Sequence, residues 1–452
     1  SKRRFMQTLH TPNLVIGFGK AGKTLAADLA QHGQNVLLAE ASAQMYGGTC
    51  INVGCIPSKK LIAEGERRAL EADKAAVFGA AMQAKNGLIP KLRAANFAKL
   101  DGLERARVIN ARARFEDAHT VMLSGPEGEL RVTADRIFIN TGSLPVVPRI
   151  EGVDGKRIYD STGALSLAER PQRLLIVGGG YIGLEFAFMY RAFGSEVTVL
   201  DAGETFLPRE DRDIAAEMQR ILEAKGVRLV LGAATQRFEE GAQHTTAVTS
   251  KGRFDADAIL LATGRRPNTD GLALEKAGVA VTERGFIQVD EHLRAAPHIW
   301  AMGDVAGSPQ FTYISLDDWR IVRDQLFGQG QRSTADRAPF PTAVFTQPPL
   351  AHIGLTEAAA RQAGRNIKVA TLKAEAIPKA KILGQTDGLL KAVTDAGTGE
   401  ILGITLLCAE SHEIINLFKM AIDHRVPASY VKSQIFTHPT MSEALNDLFA
   451  SL

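Results

Sequence analysis

Cysteine is scarce in this chain: three residues in 452 cannot make a disulfide scaffold, which excludes the secreted, disulfide-rich class. A chain of this length buries enough core to fold without one. Long apolar runs are missing too. None reaches the ~18 residues a membrane-spanning helix needs, so no membrane association is expected. The amino terminus, SKRRFMQTLHTPN, is basic but lacks an apolar stretch, so it does not read as a signal peptide, and Met6 is a candidate native start. The expected compartment is cytoplasmic. Nor is there an excess of one charge. With 53 basic and 50 acidic residues the net charge is +3, which argues against nucleic acid as a partner. The 45% hydrophobic and 23% charged residues exclude collagen-like, disordered and coiled-coil chains.

Glycine is plentiful, at 42 residues, as in nucleotide-binding α/β folds where the backbone turns tightly or approaches a ligand. Length alone suggests about three domains at ~150 residues each. The sequence also repeats itself. Asn13 to Gly22 reads as a strand and a Gly17-x-Gly19-x-x-Gly22 turn, followed by a helix to Gly33 and a second apolar run ending at Glu40. Leu174 to Gly183 reads the same way through Gly178, Gly180 and Gly183, and its second run ends at Asp201. In both copies the acid lies 18 positions after the third glycine. Strand, glycine turn, helix, strand and acid together make the dinucleotide-binding unit. The glycines admit the turn and the pyrophosphate, the helix N-terminus faces the phosphates, and the acid takes the ribose hydroxyls. Residues 17–24, GFGKAGKT, also fit a P-loop, with Lys23 for phosphate and Thr24 for Mg²⁺. That reading, a P-loop nucleotide hydrolase, is the alternative from another class. Against it, Glu40 suits a ribose and the second unit has no Lys-Ser/Thr pair.

Between the two units lies GGTCINVGCIPSKKL, with Cys50 and Cys55 four residues apart. Two inert buried thiols are one reading. Zinc is another, but it needs four ligands and the chain has no second pair. The pair opens an apparent helix from Ser58 to Val77, whose dipole would lower a thiol pKa, which favours a redox-active disulfide. Cys408, in the apolar run GITLLCAE, reads as core.

These residues resemble the pyridine nucleotide-disulfide oxidoreductases, which include glutathione reductase, dihydrolipoamide dehydrogenase and mercuric reductase. GGTCINVGCIPSK resembles the family's redox segment, ATGRRPN (262–268) its nicotinamide-domain exit, IWAMGDV (299–305) its second flavin segment, and FTHPTMSE (436–443) its carboxy-terminal His-Glu motif. The resemblance covers nearly the whole chain. It implies an α/β fold of two Rossmann-like domains, for FAD and NAD(P)H, plus a C-terminal α+β dimerisation domain. The FAD domain would occupy 1–150, the NAD(P)H domain 151–270, the second part of the FAD domain 271–335 and the dimerisation domain 336–452.

The resemblance also implies roles. Gly17, Gly19, Gly22, Glu40, Gly48, Thr49, Thr141, Gly142 and Asp304 would hold FAD. Gly178, Gly180, Gly183 and Asp201 would hold the nicotinamide cofactor, with Tyr181 covering the empty nicotinamide site and Gly264 in the segment that closes the domain. Lys59 would pair with Glu185 beside flavin N5. Cys55 would meet the flavin as the charge-transfer thiolate, and Cys50 would face the acceptor. His438, oriented by Glu443 and supplied by the partner of a homodimer, would be the acid/base. Pro439 would start the helix after His438, with Glu443 on its first turns. Asp201 without a neighbouring Arg suggests NADH over NADPH. No extra cysteine pair follows Cys408, unlike mercuric reductases and large thioredoxin reductases, and no metal cage is recognisable. QMYGGTCINVGCIP and FTYISLDDWRIVRD resemble copper-reducing members that serve resistance to hypochlorous acid. Cu(II) is therefore the expected acceptor, with an organic disulfide such as glutathione or lipoamide as the alternative.

Overall fold

The computed structural model describes residues 6–452, so the first five residues of the basic amino terminus lie outside the described residues. Strand β1 (Gln7–Ile16) runs into a glycine turn and helix α1 (Lys20–Gln31), and the chain returns as β2 (Val36–Glu40) parallel to β1. The last four residues of β1 are buried, as expected of a parallel strand covered on both faces. Two short helical segments follow, α2 (Thr49–Asn52) and α3 (Cys55–Arg67), then the long α4 (Lys74–Asp101) and β3 (Ala106–Asn110) beside β2. On its other side β1 pairs with Gly128–Ile139, which pairs in turn with Ile299–Ala301 from much later in the chain.

The helix expected from Ser58 to Val77 is not continuous. It stops at Arg67, and α4 restarts where the Asp73 carboxylate accepts the Ala76 N–H at 3.1 Å. That cap satisfies an orphan donor and sets the new start.

A second, five-stranded parallel sheet contains Arg173–Val177, Glu196–Leu200 and Ala258–Leu261. The Tyr181–Ala192 helix connects the first two strands, repeating the unit at β1. The third layer is a five-stranded antiparallel sheet from Thr342 to Leu407, packed by the Ser411–Asp423, Ala428–Ser433 and Ala444–Leu448 helices. The fold is thus two Rossmann-like sheets followed by an α+β domain.

One buried ion cluster ties the second layer to the third. Lys391, 3% exposed, reaches Asp211 (3.2 Å), Asp213 (3.0 Å) and Glu357 (2.6 Å). Asp211 also accepts the N–H groups of Glu357 and Ala358, each at 3.0 Å, and so caps a helix of the other domain. Burial opposes ionisation of Asp211, but those N–H groups and Lys391 outweigh it and hold the carboxyl below its ordinary range. Hydrogen bonding to Lys391 does the same for Glu357. Lys391→Met should cost about 3 kcal/mol at pH 7, because it strands the buried Asp211 carboxylate. Carboxyls depressed in the folded state contribute stability above their unfolded pKa and lose it as pH falls through the folded one. The difference between wild type and variant should therefore shrink below about pH 4. Denaturant titrations at both pH values test this, and an unchanged difference would rule out an electrostatic origin.

Candidate active site

The two glycine turns share one construction. Gly17 (φ +106°) ends β1, where a Cβ would lie 2.1 Å from the Asn140 carbonyl oxygen. Gly178 (φ +118°) ends its strand with a Cβ position 2.1 Å from the Ala262 oxygen. Only glycine fits a left-handed backbone pressed against a neighbouring strand end. Gly22 and Gly183 bring each helix onto its own turn, with Cβ positions 2.5 and 2.3 Å from the oxygens of Gly17 and Gly178. Gly19 abuts the Asn140 side chain, whereas a Cβ on Gly180 would meet nothing within 4 Å. Glu40 accepts the N–H of Phe18 (2.9 Å) and of Ser42 (3.2 Å), and burial pushes its carboxyl up. Asp201 accepts the Gly203 N–H at 3.0 Å. Each acid therefore sits at the mouth of its own turn.

Sequence reasoning missed Asn140. It is 6% exposed, accepts the Gly22 N–H at 3.0 Å and donates to the Met302 carbonyl at 2.8 Å. One side chain thus joins the fingerprint helix, the 139–142 crossover and the 299–305 segment. The available signal was an amide at the end of an apolar strand, where a buried polar group must find partners. Next to it, Thr141 Oγ1 donates to Asn268 O (2.7 Å), and Gly142 accepts the Asn268 N–H (2.9 Å). Gly264 (φ +100°) lies two residues past Ala262, and a Cβ there would meet nothing within 4 Å. Asp304 is raised by burial and takes a side-chain hydrogen bond from Ser143 Oγ at 2.6 Å, while Arg265 Nε donates to that same Ser143 at 2.8 Å.

The thiols lie on separate helical segments. Thr49 and Cys50 are in α2, next to Gly48, and Cys55 is the first residue of α3. Cys50 is half-buried and Cys55 exposed, and both are free thiols. Cys50 is brought down to about 6, first by the hydrogen bond from Cys55, with burial opposing and Thr312, Lys23 and Lys59 assisting. Cys55 moves the other way, first through its contact with Cys50 and also through the charge there. The pair loses one proton easily and the second with difficulty. Thr312, at the start of the Thr312–Phe327 helix, places its Oγ1 3.9 Å from Cys55 Sγ. It was not foreseen.

Lys59 Nζ meets both Glu185 oxygens, at 2.9 and 3.1 Å, and lies 4.9 Å from the centre of the Phe345 ring. Phe345 N–H donates to Glu185 at 2.8 Å, so this ion pair joins three layers. Tyr181 begins its helix and donates to Glu210 at 2.6 Å; burial, then Glu210, pushes the phenol up. His438, with its side chain 70% exposed, bonds Glu443 at 2.8 and 2.9 Å. That bond, followed by the Thr440 N–H, holds Glu443 below its ordinary value. Pro439 does not start a helix. The helix begins at Ala444 with Glu443 as its N-cap. The cause is a hydrogen-bonded turn: Thr440 N–H donates to Glu443 and Thr440 Oγ1 to Thr437 O. Within the chain, the hydrogen bonds of the His438 ring go to Glu443, and none reaches either thiol.

The P-loop alternative fails on geometry. Lys23 and Thr24 are inside α1, where Lys23 Nζ is held by Gly47 O at 3.1 Å and Thr24 Oγ1 by Lys20 O at 2.5 Å. Among the described residues, no cluster of three His, Cys, Asp or Glu could hold a metal.

A family model described as pyridine nucleotide-disulphide oxidoreductase matches residues 12–318, and its dimerisation domain matches 340–449. The chain belongs to the pyridine nucleotide-disulphide oxidoreductases. RclA of Escherichia coli (strain K12) is 49% identical over 97% of this chain and 98% of its own. A dihydrolipoyl dehydrogenase of Bacillus subtilis (strain 168) is 33% identical over 96% of this chain and 95% of its own. Among solved structures, the Cu(II) complex of the HOCl-induced flavoprotein disulfide reductase RclA from Escherichia coli superimposes with a TM-score of 0.95. It is 48% identical and covers 98% of this chain and 100% of that one.

The family works with FAD and a pyridine nucleotide, and the residues present fit both. Asp304 is a half-buried carboxylate with few donors, as a polyol requires. The open space at Gly180 admits a second dinucleotide. The resemblance would seat FAD along Gly17–Gly22, Glu40, Gly48–Thr49, Thr141–Gly142 and Asp304. The thiol assignment is open to a direct test. In reduced enzyme, iodoacetamide should label Cys50, the thiol expected to face the acceptor, first, with a rate midpoint below the ordinary thiol range. Cys55→Ala should move that midpoint up by removing the coupled neighbour. Peptide mass spectrometry against pH reads both, and preferential labelling of Cys55 would overturn the assignment.

Proposed function

We propose that this enzyme oxidises NADH and delivers the electrons through Cys50–Cys55 to Cu(II), in defence against reactive chlorine species. The observation that carries the reading is a pair of free thiols, Cys50 in α2 and Cys55 at the start of α3, with Lys23 and Lys59 placed to favour an anion. A thiolate at neutral pH is both a reductant and a soft ligand for copper. Likeness to RclA over nearly the full length, with a solved Cu(II) complex of that protein, supports the same acceptor.

FAD, when bound, supplies the two-electron link between the nicotinamide and the disulfide. The chain's own residues do the rest. Lys59, fixed by Glu185, keeps a cation beside the redox segment. Cys50 and Cys55, which share one proton when reduced, close to a disulfide and release two electrons and that proton. Two Cu(II) ions leave as Cu(I). Overall, one NADH and two Cu(II) give NAD⁺, two Cu(I) and one proton. We assign proton handling to the partner's His438, held by Glu443, so the working unit is a homodimer. An exposed His–Glu pair that bonds neither thiol of its own chain supports this arrangement, as does the dimerisation domain.

NADH is preferred on charge. A 2′-phosphate near Asp201 would meet a carboxylate that forms no ion pair among the described residues, Ala202 and Gly203 add no charge, and Arg209 lies several residues on. The ratio of kcat/KM for NADH over NADPH should be roughly tenfold, or ~1–2 kcal/mol. A higher value with NADPH refutes the preference.

The acceptor is tested by steady-state NADH oxidation with Cu²⁺, oxidised glutathione and lipoamide in parallel. Cu²⁺ should give the highest kcat/KM, and Cys50→Ser should retain FAD while losing turnover. Faster reduction of either organic disulfide would replace copper as the acceptor.

A further inference from the structure

A second polar site lies beside the flavin cradle but shares none of its glycines or acids. One face of α1 (Lys20, Lys23, Thr24, Ala27, Asp28 and Gln31, at helical spacing) forms a wall of a cleft of about 760 Å³. The end of α4 and the Thr312–Phe327 helix form the other walls. Its charge is lopsided. Lys20, Lys23, Lys99, Arg320, Arg323 and Arg332 line it, against Asp28 and Asp324.

Both carboxylates are already engaged. Asp28 takes Arg323 at 3.0 Å and the Trp319 Nε1–H at 3.3 Å. Asp324 accepts the Arg332 N–H at 2.8 Å. Behind the wall, Asp317 pairs with Arg320 (3.2 Å) and Arg332 (3.0 Å). Even with Asp317 counted, six cations face three carboxylates. The three lysines are the ones left over: among the described residues, none of them forms an ion pair. Lys23 feels this most. Burial first, then Lys20 and Lys99, bring its ammonium down to about 8, although Cys50 pulls the other way. Its one fixed contact is a neutral carbonyl, Gly47 O.

A volume large enough for a nucleotide and an excess of about three positive charges call for a compact polyanion. Ammonium groups supply point charges for phosphate oxygens, and the three guanidiniums supply planar donor pairs. We propose that this cleft binds a triphosphate group, either inorganic or carried by a nucleoside. The occupant would lie against Lys23, which holds the residue preceding Gly48 and the redox helix α2. Binding there would stiffen the approach to Cys50 without entering the flavin or nicotinamide sites.

Titration calorimetry on FAD-loaded enzyme saturated with NAD⁺ tests this, because both dinucleotide sites are then filled. Tripolyphosphate and ATP, each without Mg²⁺, are the probes. One site per chain is expected. Equal affinity for the two probes identifies a site that reads phosphates alone, and tighter ATP binding adds a nucleoside contact; both support the proposal. Lys99→Glu, an exposed change on the last turn of α4, should weaken binding about tenfold or more while leaving FAD content and NADH turnover intact. Lys20→Gln should weaken it further. Absence of saturable binding, release of FAD on titration, or equal affinity in wild type and Lys99→Glu would each overturn the proposal.

Discussion

The site depends on one backbone contact. A Cβ on Gly48 would lie 2.7 Å from the Gly19 Cα, so the redox loop rests directly on the first nucleotide turn. Gly48 holds φ at +92° to make that approach. Thr49 and Cys50 follow at once as α2, so the position of the thiol is fixed relative to the turn that would hold the FAD phosphates. Any side chain at Gly48 would push the loop off the turn and take Cys50 with it. Asn140 reinforces the same arrangement from below, since it bonds the fingerprint helix and the 299–305 segment with one amide. The redox centre is therefore positioned by backbone packing, and its side chains are free to do chemistry.

Charge then decides what those side chains do. Lys23 and Lys59 both bias Cys50 toward its anion, from different elements, yet the larger contribution is the neighbouring thiol. A proton shared between two sulfurs makes the pair a one-proton device at neutral pH, reactive but not doubly charged. Lys59 is itself held by Glu185, whose other duty is to accept the Phe345 N–H at the entrance to the third domain. The cation beside the redox segment is therefore also a joint between layers, and removing it would disturb packing as well as reactivity.

Local features of this molecule were legible in the sequence, and features made by distant segments meeting were not. The paired glycine fingerprints, the Lys59–Glu185 contact and the His438–Glu443 contact were all readable, the first from spacing and the others from the family resemblance. The break between α3 and α4 escaped because alanine and leucine continue through residues 68–73, while the Asp73 cap starts a new helix there. The turn at Pro439 escaped for a similar reason: a proline suits the first turn of a helix, but the bonds from Thr440 to Glu443 and Thr437 hold the chain in another shape. Asn140, Thr312 and Phe345 act only across 100 or more residues, so no window of sequence displays them.

The reduced pair holds one proton between two sulfurs, to which the resemblance gives different duties, Cys55 toward the flavin and Cys50 toward the acceptor. Lys59 and Thr312 favour an anion on either sulfur, and Lys23 favours it on Cys50. His438 is exposed and its ring bonds only Glu443 in its own chain, so its second ring nitrogen is open to groups outside the chain.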